Sequence, residues 1–533
     1  MRRTLTLNLL SLLAVGTAFG QSAVDAYNVT PTQLRGTARF VGMGGAFTSL
    51  GGDLSSMNQN PAGLGMYRSS DVGLTFDISA RSVMATTASD QIKETQTKAF
   101  FDNVGYVGTF NMKGALKSLS FGVSYSRVAT FDRVMSGYLK PSPGSLSNYV
   151  ASFTQGVNSG DLLDDTGYNP YFDSAEDWLS ILSYQSALIS NTSSDTQYAG
   201  LNVPGTTYGD AEFSTREWGG LDEYSINIAG NVNDMVYWGA GVNITDLNYN
   251  SANYYSESME NALVYNKNND RLVNGNAGFG MDNVRSISGT GVNLKFGAIV
   301  RLADFLRIGA AVHTPTWMSL RHQGYGSVQS RFTPNGDQTP QTYSCDTPNY
   351  DYDSRLTSPW RFMFGASATI GSYGIISVDY ERVEYGSMSM KEAQYTGYQS
   401  SFVPNKYANG DIKDWYKGSN IIRIGLEGRI TSQFSVRLGA SRQMSNVKDA
   451  AYKGETQIYT SGTDPSYTFN DNTTNFAVGF GYRISGWYID LTYQHTNQKS
   501  TYRAYTPYDG FDSPSAELNT NHNNVILTTG FRF

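Results

Sequence analysis

From residue 71 to residue 533 the chain repeats one pattern: apolar and polar side chains alternate over stretches of about ten residues, and the connections between them run short, then long, then short again. A side-chain period of two belongs to strands and not to helices. Stretches of this length suit strands that cross a bilayer at a tilt. A sheet in lipid finds no water to satisfy its edges, so it has to close on itself. The pattern predicts an all-β chain, a closed antiparallel transmembrane β-barrel.

The strands can be counted from the alternation. The first carries Val72, Leu74, Phe76 and Ile78 on one face and Gly73, Thr75, Asp77 and Ser79 on the other. The third sets Leu119, Phe121, Val123 and Tyr125 against Ser118, Ser120, Gly122 and Ser124. With others near 103–112, 221–232, 235–246, 289–301, 304–315, 358–370 and 373–384, then 419–429, 432–443, 473–484, 486–497 and 523–533, the count is fourteen. An even number fits single-chain bacterial barrels. Long segments near 131–220, 247–288, 316–357, 385–418, 444–472 and 498–522 are expected as extracellular loops. Short turns then face the periplasm, and both termini with them. Asp77, Lys295, Asp379, Arg423, Glu427 and Asp490 fall on lumen-facing positions. They fit either a polar channel or a ligand carboxylate site, or else ion pairs that brace a filled lumen, and the pattern alone does not separate these readings.

The amino end agrees with an outer-membrane location. Arg2 and Arg3 precede an apolar run too short to span a membrane, and Ala18-Phe19-Gly20 offers small residues for cleavage. Residues 1–20 are expected as a signal peptide, 21–70 as a separate N-terminal segment and 71–533 as the barrel. Mean hydropathy is −0.36, which excludes a polytopic helical protein but not a barrel with a polar lumen. Without the leader, 37 basic residues stand against 46 acidic ones, net −9, so no electrostatic footprint for nucleic acid exists. Cys345 is the only cysteine and excludes an internal disulfide.

Residues 21–70 show no strand pattern and are rich in glycine. The core is Arg39-Phe40-Val41-Gly42-Met43-Gly44-Gly45-Ala46, with Gly51-Gly52-Asp53 and then Asn60-Pro61-Ala62-Gly63-Leu64. Glycine permits positive φ and close backbone approach, as a compact plug in a narrow barrel requires. Asn60-Pro61 pins a turn. These runs resemble the N-terminal hatch of the FadL/TodX family of fourteen-stranded outer-membrane transporters of long-chain fatty acids and other hydrocarbons. The resemblance covers the hatch in motif detail and the rest in strand number and topology. It implies capture of a hydrophobic ligand by extracellular loops, hatch-gated passage and lateral release through the wall into the membrane. On that analogy Gly42, Gly44, Gly45, Asn60, Pro61 and Ala62 belong to the hatch or gate; alternatively, the Asn60–Ala62 turn only terminates the plug and positions the first strand.

Ser174-Ala175-Glu176-Asp177 reads as a helix start, with a serine cap and acidic residues at the positive helix end. Trp178, Ile181, Leu182, Leu188 and Ile189 follow at helical spacing. The stripe either captures a lipid tail or packs on neighbouring loops. An aromatic group at Tyr395, Tyr398, Phe402, Trp415 and Tyr416 carries the same two readings. No nucleophile with a base within a strand face accompanies His313, His322, His495 or His522, and no phosphate loop or complete calcium loop is present. The expectation is no enzymatic activity, no cofactor and no metal. The leading reading is transport of hydrophobic compounds, with outer-membrane lipid and an apolar ligand as partners. The alternative is a barrel of the same type that docks protein cargo for a secretion system at the cell surface or in the periplasm. A general diffusion porin is weakened by the hatch.

Overall fold

The structure, a computed structural model, describes residues 22–87, 90–139, 144–396 and 399–533. The expected leader at 1–20 and Tyr398 lie outside the described residues. Fourteen strands form the wall, beginning with β1 (Asp71–Thr86), β2 (Gln91–Asn111), β3 (Leu116–Thr130), β4 (Thr207–Val232) and β5 (Val236–Asn266). Then come β6 (Arg271–Ala303), β7 (Leu306–His313), β8 (Trp360–Ile370), β9 (Gly374–Glu384) and β10 (Gly418–Arg429). The last four are β11 (Phe434–Gln443), β12 (Tyr467–Ile484), β13 (Trp487–Arg503) and β14 (Ser515–Arg532). Each strand pairs antiparallel with the next, and β14 returns to β1 from Asp71 opposite Arg532 to Thr86 opposite Glu517. The sheet is closed, as lipid demands.

The two faces sort as the alternation requires. Val72, Phe76 and Ile78 of β1, Ile424 of β10 and Leu491 of β13 are exposed, while Thr75, Asp77, Arg423 and Asp490 are buried in the lumen. A continuous exposed apolar band of this kind is a lipid surface. Tight turns close one end. At Asn233 and Asp234, φ is +53° and +56°, the left-handed pair that a two-residue hairpin needs to match strand twist.

The long-connection end departs from expectation. β4, β5 and β6 run for 26, 31 and 33 residues, against about ten needed to cross the bilayer. Residues 247–288 are therefore not a loop but a hairpin arm that continues the ladder beyond the lipid band. Strands Trp317–Pro334, Gln341–Asp346 and Tyr350–Thr357 extend the same projecting sheet. Backbone pairing persists there, but the inner face packs Tyr255, Met259, Phe279 and Met281 into the cap core while the outer face meets water instead of lipid, so the apolar-outward alternation that marks a strand in lipid is lost.

The plug is built from α1 (Ala23–Asn28), α2 (Ala38–Gly42), α3 (Ser56–Gln59) and a 3-10 turn at Pro61–Met66, almost wholly buried inside the barrel. Its amino end lies at the long-connection end of the lumen. Asp25 pairs with Arg285 (2.6 Å), the Tyr416 hydroxyl donates to the Ala23 carbonyl (3.0 Å), and Tyr27 stacks on Tyr416 at 5.4 Å. Phe533 lies at the opposite, short-turn end, bonded to Ser70. The expectation that both ends share the short-turn side thus fails for the described amino end. α1 carries the apolar Val24 and Tyr27, which find their burial only beneath the capping loops.

Candidate functional site

The glycine run brings the plug backbone into direct contact with the wall. Gly44 and Gly45 hold φ of +64° and +75°, a left-handed corner that other residues enter only with strain. The wall answers with its own glycines: a Cβ on Gly439 would lie 2.1 Å from the Gly44 nitrogen, and one on Gly425 2.5 Å from the Met43 carbonyl. Gly425 and Gly439 face each other across β10 and β11. Gly42 ends α2 and lies against Thr492 and Gly479.

Asn60 is a crosspiece. Its side-chain nitrogen donates to the Thr48 carbonyl (2.6 Å) and lies 3.4 Å from the Ala298 and Ala310 carbonyls of β6 and β7. Its oxygen accepts from the Ala62 nitrogen (3.0 Å), capping the 3-10 turn that Pro61 opens. Gly239 and Gly297, opposite one another on β5 and β6, leave the space that Pro61 and Asn60 fill. Asn60, Pro61 and Ala62 therefore join plug to wall, and the paired wall glycines are the signal that sequence reasoning passed over.

The lumenal charges brace the filled barrel. Glu427 accepts from Arg39 of the plug (2.8 Å) and from Arg437 (2.7 Å), which also reaches Asp490 (2.6 Å). Asp379 accepts from the Thr48 nitrogen (2.8 Å) and from Gln59 (3.3 Å). Lys295 pairs with Glu223, and Arg423 with Glu381. Lys295, Arg423, Glu427 and Asp490 are thus ion-paired, whereas Asp379 holds the plug through neutral donors.

One place in the wall is different. The β2–β3 ladder runs from Asn111 opposite Ser118 to Asn103 opposite Ser126 and stops. β2 continues to bond β1 as far as Gln91, and β3 continues to bond β4 as far as Thr130. Beyond Asn103 the two facing edges make no ladder. This seam begins at Phe101 and Ala99, level with the lipid-facing Phe76 and Ile78 of β1. A register shift of β2 at this point turns Asp102 inward, where Asp77 already points. Arg35 of the plug reaches into the gap, pairing with Asp77 (3.1 Å) and with Asp102, its guanidinium 5.2 Å from the Phe100 ring. Lys98 and Asp132 bridge the seam higher up, and the rings of Phe101 and Tyr125 stack across it at 5.9 Å. One guanidinium serving two carboxylates leaves Asp77 Oδ1, Asp102 Oδ2 and Arg35 Nε without partners. A partly satisfied buried network holds less firmly than a complete one.

Two cavities flank the extended plug segment that carries Arg35. One, of about 170 Å³, mixes Leu34, Met318 and Met363 with Lys295, His313 and Arg361. The other, of about 160 Å³, lies against β11–β14. Above them the capping loops close the mouth. Trp178, Ile181, Leu182 and Leu188 are packed in the cap core with Leu146, Val150 and Phe332, each at most 1 % exposed. They form no open vestibule. Their helix is Trp178–Gln185, capped by Asp177, whose carboxylate accepts from the Leu179 nitrogen (2.8 Å). The expected serine start is thus corrected by three residues: Ser174 instead closes the preceding turn, and a left-handed Ala187 separates the helix from Leu188. Trp415 and Tyr416 are buried against α1, apart from Phe402, which lies over Arg355. Cys345 contacts Gln185 (2.9 Å), and burial pushes its thiol pKa up. His313 meets the Gln59 carbonyl (2.9 Å) and His322 the Ser354 hydroxyl (2.9 Å).

No protein-family model matches the chain, and no curated protein matches it. Among solved structures, the crystal structure of a Pseudomonas aeruginosa FadL homologue aligns over 94% of this chain and 100% of its own, at 12% identity and a TM-score of 0.50. The P. putida toluene transporter TodX aligns over 94% and 99% at 13% identity with a TM-score of 0.47. The CymD monoaromatic hydrocarbon channel covers the same shares at 12% and 0.45. With its fourteen-stranded closed wall and filled lumen, the chain has the fold of the FadL-type outer-membrane barrels.

Proposed function

We propose that this barrel moves hydrophobic compounds, such as long-chain fatty acids, across the bacterial outer membrane. The observation that carries the reading is the β2–β3 seam, which breaks the wall at lipid level and is held shut from inside by Arg35 of the plug. An apolar solute entering the lumen has no reason to leave into water on the far side; a wall opening delivers it to the membrane. The long-connection end faces the cell exterior, residues 1–20 are removed on export, and residues 21–70 act as the hatch. Capture needs the cap to loosen, so that the buried stripe of Trp178, Ile181, Leu182 and Leu188 meets the ligand. The hatch then turns about its wall contacts at Gly42, Gly44 and Gly45 and at Asn60, Pro61 and Ala62, withdrawing Arg35 from Asp77 and Asp102.

Uptake of labelled long-chain fatty acid by cells lacking the protein tests this. Wild type restores uptake, and Pro61→Ala at equal abundance in the membrane restores clearly less. Unchanged uptake of every hydrophobic substrate after deletion would remove the transport reading. Co-purification of a protein cargo in its place would favour the docking alternative.

A further inference from the structure

The cavity against β11–β14 has a chemistry that apolar cargo does not explain. Three successive inward-facing pairs of β13 and β14 are all polar: Gln494 opposite Asn524, Thr496 opposite His522 and Gln498 opposite Thr520. Most of this cavity's lining is amide or hydroxyl. Thr520 Oγ1, Asn524 Oδ1 and Asn470 Oδ1 are buried there without a hydrogen-bond partner, Thr520 and Asn524 being 4 % exposed. A buried acceptor without a donor is costly, and such groups call for a partner.

The orphaned amide oxygens accept only, so the complement has to donate. An ionised carboxylate does not donate, which excludes it as the match. A cation is disfavoured because Arg35, Arg81 and Arg133 outnumber Glu217 and Asp471 in the lining, and Arg81 donates to the Asp132 carbonyl (2.5 Å) and to neutral groups. Among the described residues, no carboxylate lies within ion-pair distance of Arg81. A neutral hydroxyl does both tasks: it donates to Asn524 and Asn470 and accepts from Arg81. Phe131 and Tyr249, edge to face at 5.0 Å, offer a C–H-binding aromatic wall to the same space. The volume of about 160 Å³ equals about five waters at roughly 30 Å³ each, the size of a small polyol or one sugar ring.

We propose that this cavity is a binding site for a neutral, hydroxyl-rich small molecule, a polyol or single monosaccharide. The site borders the seam through Arg35 and Thr130, but its ligand chemistry does not depend on the transport reading. Equilibrium dialysis of the full-length protein in detergent against glycerol, myo-inositol and D-glucose, each alone, tests it. At least one probe binds wild type. Asn524→Leu and Thr520→Val each weaken that binding about tenfold, the effect of one or two lost hydrogen bonds, and Met318→Leu in the other cavity leaves it unchanged. Heat-modifiable electrophoretic mobility reports that each barrel is folded, and Thr520→Val, which keeps the side-chain shape, serves alone if Asn524→Leu does not fold. Binding of none of the probes, a cavity filled by water only, or binding that neither variant weakens would each overturn the proposal.

Discussion

Single methyl groups decide whether plug and wall can meet. A Cβ on Gly439 would strike the Gly44 backbone, which has no flexible side chain to move aside, whereas one on Gly428 of neighbouring β10 enters open space. Gly439→Ala should therefore lower stability by on the order of 1–3 kcal/mol, read as a urea midpoint, while Gly428→Ala leaves it near wild type. At the seam, Arg35→Met strands two buried carboxylates and should cost about 3–5 kcal/mol locally, seen as faster hydrogen exchange in the plug. Adding Asp77→Asn and Asp102→Asn should reverse most of that loss. The plug glycines and Asn60-Pro61 were legible in the sequence because they cluster within one segment. Gly425 and Gly439 were not, since their meaning lies in pairing across strands. Arg35 was equally hidden: nothing near it in sequence announces carboxylates 42 and 67 residues away.

At the scale of elements, the lipid wrote the clearest signal. Where strands cross it, outward positions are apolar and inward ones polar, and all fourteen crossings were readable from that alternation. Past the lipid band the β5–β6 arm turns its apolar side chains to the cap core and the 91–98 stretch of β2 is largely polar, so neither carries the lipid mark. The seam, which begins at Phe101, shows only in the missing ladder. The cap has its own anchor, Glu257 on the projecting arm well past the lipid band. Its carboxylate accepts from the Ser145 hydroxyl (2.6 Å), the Leu146 nitrogen (3.0 Å) and the hydroxyls of Tyr208 (3.0 Å) and Tyr255 (2.6 Å). Burial raises its pKa above the ordinary glutamate value near 4.3, against the pull of those donors. The folded cap thus holds the proton more tightly than the unfolded loop. Cap stability should rise as pH falls from neutrality toward about 4.3 and flatten below it. Protease protection of the 144–200 segment checks this, and Glu257→Gln should remove the slope.

The whole molecule is a closed barrel around a seated plug, and its β2–β3 ladder ends short at the seam. Among the described residues the plug sits in the lumen and bonds to β1 and β2 at one side and to β6, β9 and β10 at the other. In a planar bilayer the protein should give far less ion conductance than an open barrel of fourteen strands, and sustained large conductance would contradict a seated plug. Lateral release is expected at the seam between β2 and β3. The most direct test is to join Lys98→Cys and Asp132→Cys across it with a short, reductively cleavable bismaleimide, in a Cys345→Ser background, and to follow uptake of labelled fatty acid. Cross-linking should stop uptake and reduction should restore it; full uptake through a quantitatively cross-linked barrel would contradict lateral release at this seam.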